Sequence, residues 1–394
     1  MKRLPKQVII LSLVSLFTDM ASEMLYPITP IFLSSVLGTS MAVVGLIEGL
    51  AEVTAGLLKG YFGVLSDKLG KRSVFVVLGY SFSALAKPLP GIFPNTLTVL
   101  TARVTDRIGK GIRTAPRDAL LASYSENNTG AVFGFHRAMD TLGAVIGPLL
   151  ALLMLNFFML DYQTIFIVAF IPSLIAVVFT LYIKDKKSEI SLRPKTDMLG
   201  FWKSSPAQYK ILVYLITIFS LVNSSDVFLI LKSKNISGSD TLAIAGYIFY
   251  NIIYAVSSYP IGILSDRIGK KKVFIIGLLI FSVVYFGFAS LNSFAFIWIL
   301  FALYGVYASS TEGVLKAWVS DLVPDQNRGS AIGLITMSSS IAMMIGSIAA
   351  GFLWDSFGSQ VPFYLSFSVS LIVAGSLYWF SLNKPSSSST RKRH

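Results

Sequence analysis

The stretch GVLSDKLGKR at 63–72 recurs as GILSDRIGKK at 262–271, an offset of 199 residues. The same offset carries Asn128, Gly130, Gly134 and Gly147 onto Asn327, Gly329, Gly333 and Gly346. One register shared by separate segments is the mark of an internal duplication. Outward from the repeat lie apolar stretches long enough to cross a bilayer as helices. They fall near 8–33, 41–65, 73–92, 129–156, 163–183, 209–231, 240–264, 272–291, 295–321, 328–353 and 362–382, and the offset lays those at 41, 73 and 163 onto those at 240, 272 and 362.

Those stretches number eleven, and 96–121 resists inclusion because it carries Arg103, Asp106, Arg107, Lys110, Arg113, Arg117 and Asp118. Two observations make it a span. The offset maps it onto 295–320, which is plainly apolar. Charge placement agrees, since basic residues of short loops stay in the cytoplasm. Lys2, Arg3 and Lys6, then 68–72, 184–210, 267–272, Arg328 and 391–393 are basic ends, whereas the turns at 37–40, 91–96, 157–164, 291–294 and 354–360 hold no Lys or Arg. Only Lys232 and Lys234 break the alternation. The sequence therefore predicts an all-α integral membrane protein of twelve transmembrane helices in two pseudo-symmetric six-helix bundles. Their limits are 1–183 and 209–383, joined by a polar, basic cytoplasmic linker at 184–208 and followed by a cytoplasmic tail at 384–394. Both termini then lie in the cytoplasm of a multi-pass protein of the plasma membrane.

Composition agrees: 54% of residues are hydrophobic and only 13% are Asp, Glu, Lys or Arg, about half the charged share of a soluble protein. A net charge of +13 does not imply a nucleic-acid partner, because so apolar a chain has little aqueous face on which to hold a polyanion. Zero Cys and two His exclude disulfides, thiolate or His-rich metal sites and thiol catalysis. No cofactor and no metal is expected, and no ATP-binding loop appears, the nearest candidate at 109–111 lacking both the spacing and the strand context. Energy is therefore expected from an ion gradient. The absence of a nucleophile and base pair argues against an enzyme.

The repeated G-x-L-S-D-[KR]-x-G-K-[KR] resembles, over essentially the full chain, the inter-span signature of the major facilitator superfamily. The resemblance implies a loop that latches the two halves together in the outward-facing state. That role falls on Gly63, Asp67, Gly70, Lys71 and Arg72, and on Gly262, Asp266, Gly269 and Lys270. Arg113 and Arg117, towards the cytoplasmic end of the fourth span, are expected to serve the latch around Asp67. In the fifth span Gly134, Gly143, Gly147 and Pro148 are similar to the superfamily's antiporter motif. Ala151 and Leu152 stand where that motif continues with a glycine pair. This partial match implies the drug/proton antiporter-like branch, hence efflux.

Intramembrane charge is costly unless paired or facing water, so its placement points to function. On the fourth span Arg103, Asp106, Arg107, Lys110, Arg113 and Arg117 recur at spacings of three and four, hence on one face. The first span adds Asp19 and Glu23, the second Glu48, Glu52 and Lys59, and the fifth His136, Arg137 and Asp140. At the repeat offset Glu48, Glu52 and Lys59 become Tyr247, Asn251 and Ser258, so the charge is concentrated in the first half. Many of these groups can neutralise one another; those that do not are the proton and substrate candidates. They are Asp19, Glu23, Glu48, Glu52, Arg103, Arg107, His136, Asp140 and, deep in the seventh span, Asp226. Glu312 and Lys316 are expected to pair at i, i+4 in the tenth span. Tyr247, Tyr250, Tyr254, Tyr304, Tyr307 and Trp318 can line an aromatic wall. The expectation is a monomeric, proton-coupled transporter, exporting a small organic or amphiphilic compound by rocking about a midplane site. Two alternatives stand beside it: an anionic metabolite or chelate drawn by the basic fourth-span stripe, and a non-transporting membrane receptor or assembly factor.

Overall fold

The computed structural model describes residues 5–124, 129–159, 161–185, 198–291, 293–323 and 328–382. Among these residues every regular element is a helix. The first span runs over Lys6–Leu25 and continues past Pro27 through Ile28–Ile31 and a π turn at Phe32–Val36. The second to sixth are Met41–Leu69, Arg72–Ala86 with Leu89–Ile92, Thr96–Tyr124, Thr129–Asn156, and Tyr162–Val168 with Phe170–Thr180. The seventh is Ala207–Ser220 with Val227–Ser237, and the eighth to twelfth are Asp240–Ile268, Lys270–Ser290, Ala295–Leu322, Arg328–Phe357 and Val361–Leu382.

Ten of these are long and apolar enough to cross a membrane on composition alone. The two exceptions carry the information. The fourth span is an unbroken helix despite its charge, begun by the Asn95 side chain, which accepts from the Thr98 amide at 2.9 Å. Its neutral face packs so closely on the third span that a Cβ at Gly109 would fall 2.6 Å from Ser83 Oγ. Of the charged face, Asp106 and Arg113 meet Lys87 and Ser83 of the third span, and Arg103 and Arg107 turn towards the second span and the space between the halves. The seventh span is broken between Ser220 and Val227, and its loosened backbone is satisfied by neighbours, as a membrane interior demands. Ser347 Oγ accepts from the Ser225 amide at 3.1 Å, and Ser366 Oγ donates to the Val222 carbonyl at 2.6 Å. The repeat offset lays Asp226, at this break, on Pro27 at the break in the first span.

Between the halves, the segment expected to be a polar linker contains a helix, Met198–Ser204. Phe201 packs on Tyr209 with ring centroids 5.6 Å apart, and Tyr209 Oη donates to the Ala331 carbonyl at 2.8 Å. Phe201 and Trp202, which pack on Tyr209 and Tyr214, explain why this end of the linker docks on the second half. Residues 186–197 and 383–394, including the expected tail, lie outside the described residues.

The halves meet at the end remote from the basic turns. There Asp355, at the end of the eleventh span, accepts from the Met41 and Ala42 amides at 3.0 and 2.8 Å and so caps the second span. Asn156 Oδ1 accepts from Thr241 Oγ1 at 2.9 Å, and Tyr162 donates to Asp240. Lys232 and Lys234, the exceptions to the alternation of charge, are held at this end: Lys232 donates to Ser359 at 3.0 Å, and Lys234 pairs with Asp240 at 2.6 Å. Along the second and eleventh spans the backbones stay close from Gly45 to Gly56, where a Cβ would fall 2.8 Å from Ser340 Oγ. Nearer the basic end a Cβ at Gly60, Gly262 or Gly333 would meet nothing within 4 Å. The molecule is closed at the far end and splayed at the basic end.

Candidate functional site: a cavity between the two halves

Splaying leaves a cavity of about 450 Å³ between the halves. The first half contributes Tyr26, Glu48, Glu52 and Arg107; the second contributes the broken seventh span from Asn223 to Asp226, Tyr250, Tyr304, Tyr307, Glu312 and Lys316. Four of the nine sequence candidates, Glu48, Glu52, Arg107 and Asp226, therefore line one space.

Their chemistry differs. Glu48 is gripped by Arg103, whose Nε and Nη2 donate to the two carboxylate oxygens at 2.9 and 2.6 Å. This is the planar two-point pairing that guanidinium geometry favours. Arg103 also lies 5.6 Å from the centroid of Tyr26. Asp226 accepts from Tyr304 Oη at 2.6 Å, and Glu312 accepts from Tyr254 Oη at 2.7 Å rather than pairing with Lys316. Among the described residues Glu52 and Arg107 have neither ion-pair nor hydrogen-bond partner, and Arg107 Nε is buried without an acceptor. Five cavity charges thus make no ion pair among the described residues: Glu52, Asp226, Glu312, Arg107 and Lys316.

The remaining candidates sit behind the wall. Glu23 accepts from Tyr247 Oη at 2.9 Å, and Tyr247 stacks on Tyr26 with centroids 5.3 Å apart. Asp19 lies where the fifth span presses on the first: a Cβ at Gly143 would fall 3.2 Å from Asp19 Cβ, and one at Gly147 would fall 2.8 Å from the Met24 amide. These glycines of the antiporter-like motif set the depth of the first-span acids. His136 and Asp140 face each other at 3.5 Å within the fifth span, away from the cavity. Of the expected wall, Tyr250, Tyr304 and Tyr307 line the cavity, whereas Trp318 packs on Phe274 instead.

One charged residue escaped the sequence reading. Lys87 is 5% exposed and donates to Asp106 at 3.1 Å, joining the third span to the fourth. A lone lysine inside an apolar stretch, flanked by Pro88 and Pro90, was its signal. The polar run Asn223, Ser224 and Ser225 was also passed over, because no Pro or Gly marks the break.

At the basic end Gly70 takes a left-handed conformation, φ 62°, at the turn into the third span, where glycine pays no steric penalty. A Cβ at Gly63 would meet Ala115 of the fourth span at 3.0 Å, while its counterpart Gly262 faces open space. The close approach therefore belongs to the first copy alone. Lys270 pairs with Asp321 inside its own half at 2.6 Å, and Asp266 is exposed. The side chain of Asp67 lies outside the described residues, as does the surrounding of Gly134. Arg113 and Arg117, expected to serve the latch around Asp67, have the following partners among the described residues. Arg113 donates to Ser83 and lies 4.4 Å from the Tyr80 centroid, and Arg117 pairs with Asp118 at 2.9 Å and reaches Ser15.

Sequence comparison settles the lineage. The Major Facilitator Superfamily pattern matches residues 11–251 and 233–394. An MFS-type transporter of Methanocaldococcus jannaschii is 37% identical over 385 residues, 96% of each chain. The chain belongs to the major facilitator superfamily. Multidrug resistance protein 2 of Bacillus subtilis is 31% identical over a shorter stretch, 36% of this chain and 35% of its own. Among solved structures, the nucleoside transporter NupG superposes with TM-score 0.79 at 15% identity, covering 96% of this chain and all of that one. A bacterial homologue of the lysosomal transporter Spinster, inward-facing and occupied, gives 0.79 at 14% identity and 96% of both chains. The fold is therefore that of the superfamily, and the protein is a multi-pass secondary transporter, not an enzyme.

Proposed function

We propose that the protein is a proton-coupled exporter of a small organic or amphiphilic compound, in the drug/proton antiporter-like branch. It acts as a monomer in the plasma membrane with both termini cytoplasmic. The observation that carries this reading is the pair of cavity carboxylates, Glu52 and Asp226, on opposite halves, neither of which makes an ion pair among the described residues. A carboxyl group that is exposed to one side, then to the other, and has no fixed cation to hold it ionised is suited to take up a proton and release it once per cycle. The partial antiporter-like motif and the similarity to a multidrug resistance protein support the export direction. The anion alternative loses weight because Arg103 is committed to Glu48, leaving Arg107 as the one base that the first half contributes to the cavity among the described residues.

The test is flux in proteoliposomes across a panel of lipophilic cations, zwitterions and anions under an imposed proton gradient. Gradient-driven movement of at least one compound is expected. Glu52→Gln should abolish the response to the gradient while leaving exchange of substrate for substrate intact. Flux indifferent to the gradient in the wild type would overturn proton coupling.

A further inference from the structure

Two unmet requirements of opposite sign line the one cavity, one from each half. Arg107, from the fourth span, has a buried Nε with no acceptor. In the break of the seventh span Asn223 Oδ1 is buried with no donor among the described residues, and Asp226 accepts there from the Tyr304 hydroxyl alone. Buried polar groups are nearly always satisfied, and an orphan at a binding site points to a partner that arrives with the ligand.

Behind the wall Glu23, held by Tyr247, stands near both Arg107 and Asp226; the other charges that line the cavity are placed as follows. Glu48 is neutralised by Arg103, and Glu52 is the coupling acid of the reading above. Glu312 and Lys316 follow Tyr304 by eight and twelve residues on the same helix. At 1.5 Å per residue they lie about 12 and 18 Å nearer the open mouth. Between the two ends stand Tyr26, Tyr250, Tyr304 and Tyr307, with Tyr304 centroids 5.0 and 5.2 Å from those of Tyr250 and Tyr307. Such faces accept an apolar body or the flank of an ammonium group.

We propose that the cavity takes a zwitterionic organic molecule, its amine seated at Asp226 and Asn223, its acidic end on Arg107 and its body against the tyrosines. This rests on the transport reading, since it names the substrate class of the same cavity. The arrangement also supplies a reason for closure. Each end of the ligand is held by a different half, so only a molecule carrying both ends gains by drawing the halves together. A ligand shifts a conformational equilibrium only by such differential binding.

Equilibrium binding to the full-length protein in detergent at neutral pH tests it, with 4-(aminomethyl)benzoate, its methyl ester and its N-acetyl derivative as probes. The free zwitterion should bind at least ~10-fold tighter than either singly charged relative, the cost of losing one charge-assisted contact. Arg107→Gln should bring the zwitterion down to the affinity of the ester and leave the ester unchanged; Asp226→Asn should bring it down to that of the N-acetyl derivative. Equal binding of all three probes, no saturable binding of any, or equal weakening of ester and zwitterion by Arg107→Gln would overturn the proposal. If a variant fails to fold, the three probes on the wild type decide alone. No gradient enters this measurement, so its failure leaves proton coupling to be judged by the flux assay.

Discussion

At the scale of the residue, the first half contains charge that is structural and charge that is free, and pairing separates them. Lys87 with Asp106 and Arg103 with Glu48 are buried pairs joining neighbouring spans. Removing one partner leaves an uncompensated buried charge, whereas removing both can be nearly neutral. Lys87→Met is therefore expected to lower stability by about 3–5 kcal/mol, and Lys87→Met combined with Asp106→Leu to recover most of the loss. Thermal unfolding in detergent of the two single variants and the double checks this; an additive double would show that the pair is not coupled. Spacing of three and four on the fourth span revealed its charged face from sequence alone. Which charges would find partners was not legible, because a partner such as Lys87 comes from another helix and stands alone in its own apolar run.

At the scale of the element, the glycines of the two repeats have diverged in use. Gly147 lets the fifth span press on the first beside Glu23, and its counterpart Gly346 backs onto Leu221 at the break of the seventh. The repeat thus preserves the contact that places functional groups on both sides, acids on the first span and the broken segment on the seventh. Gly63 and Gly262 are alike in sequence and unlike in packing, since only the first has a neighbour within 4 Å. Gly147→Val is expected to overpack the contact with the first span, at a cost of about 1–3 kcal/mol. It should also reduce flux by displacing Asp19 and Glu23. Gly262→Ala should be silent in both. Unfolding temperature and flux measured side by side check the contrast, which fails if the two variants behave alike. The existence of these helices was read from apolar length, and the fourth, which length alone would have missed, from the repeat. The break in the seventh was not, because side chains from the eleventh and twelfth spans, remote in sequence, satisfy its backbone.

At the scale of the whole molecule, the contacts between halves are sorted by depth. Asp355 on the second-span amides, Tyr162 on Asp240 and Asn156 with Thr241 all lie at the closed end, while at the other end Lys270 of the second motif is engaged with Asp321 of its own half. A secondary transporter must be able to open the closed end, so these contacts must break together once per cycle. Asn156 belongs to the fifth span and Thr241 to the eighth, and their side chains touch at 2.9 Å. The native chain has no cysteine, so a pair introduced as Asn156→Cys with Thr241→Cys can be oxidised without competing thiols. The crosslinked protein should lose net flux by at least about tenfold, since one step of the cycle is barred, and recover it on reduction. Ligand binding from the open side should survive the crosslink, because the cavity mouth is untouched. Full flux through crosslinked protein would mean that the halves do not separate at this end, and would rule out rocking about the cavity as the mode of transport.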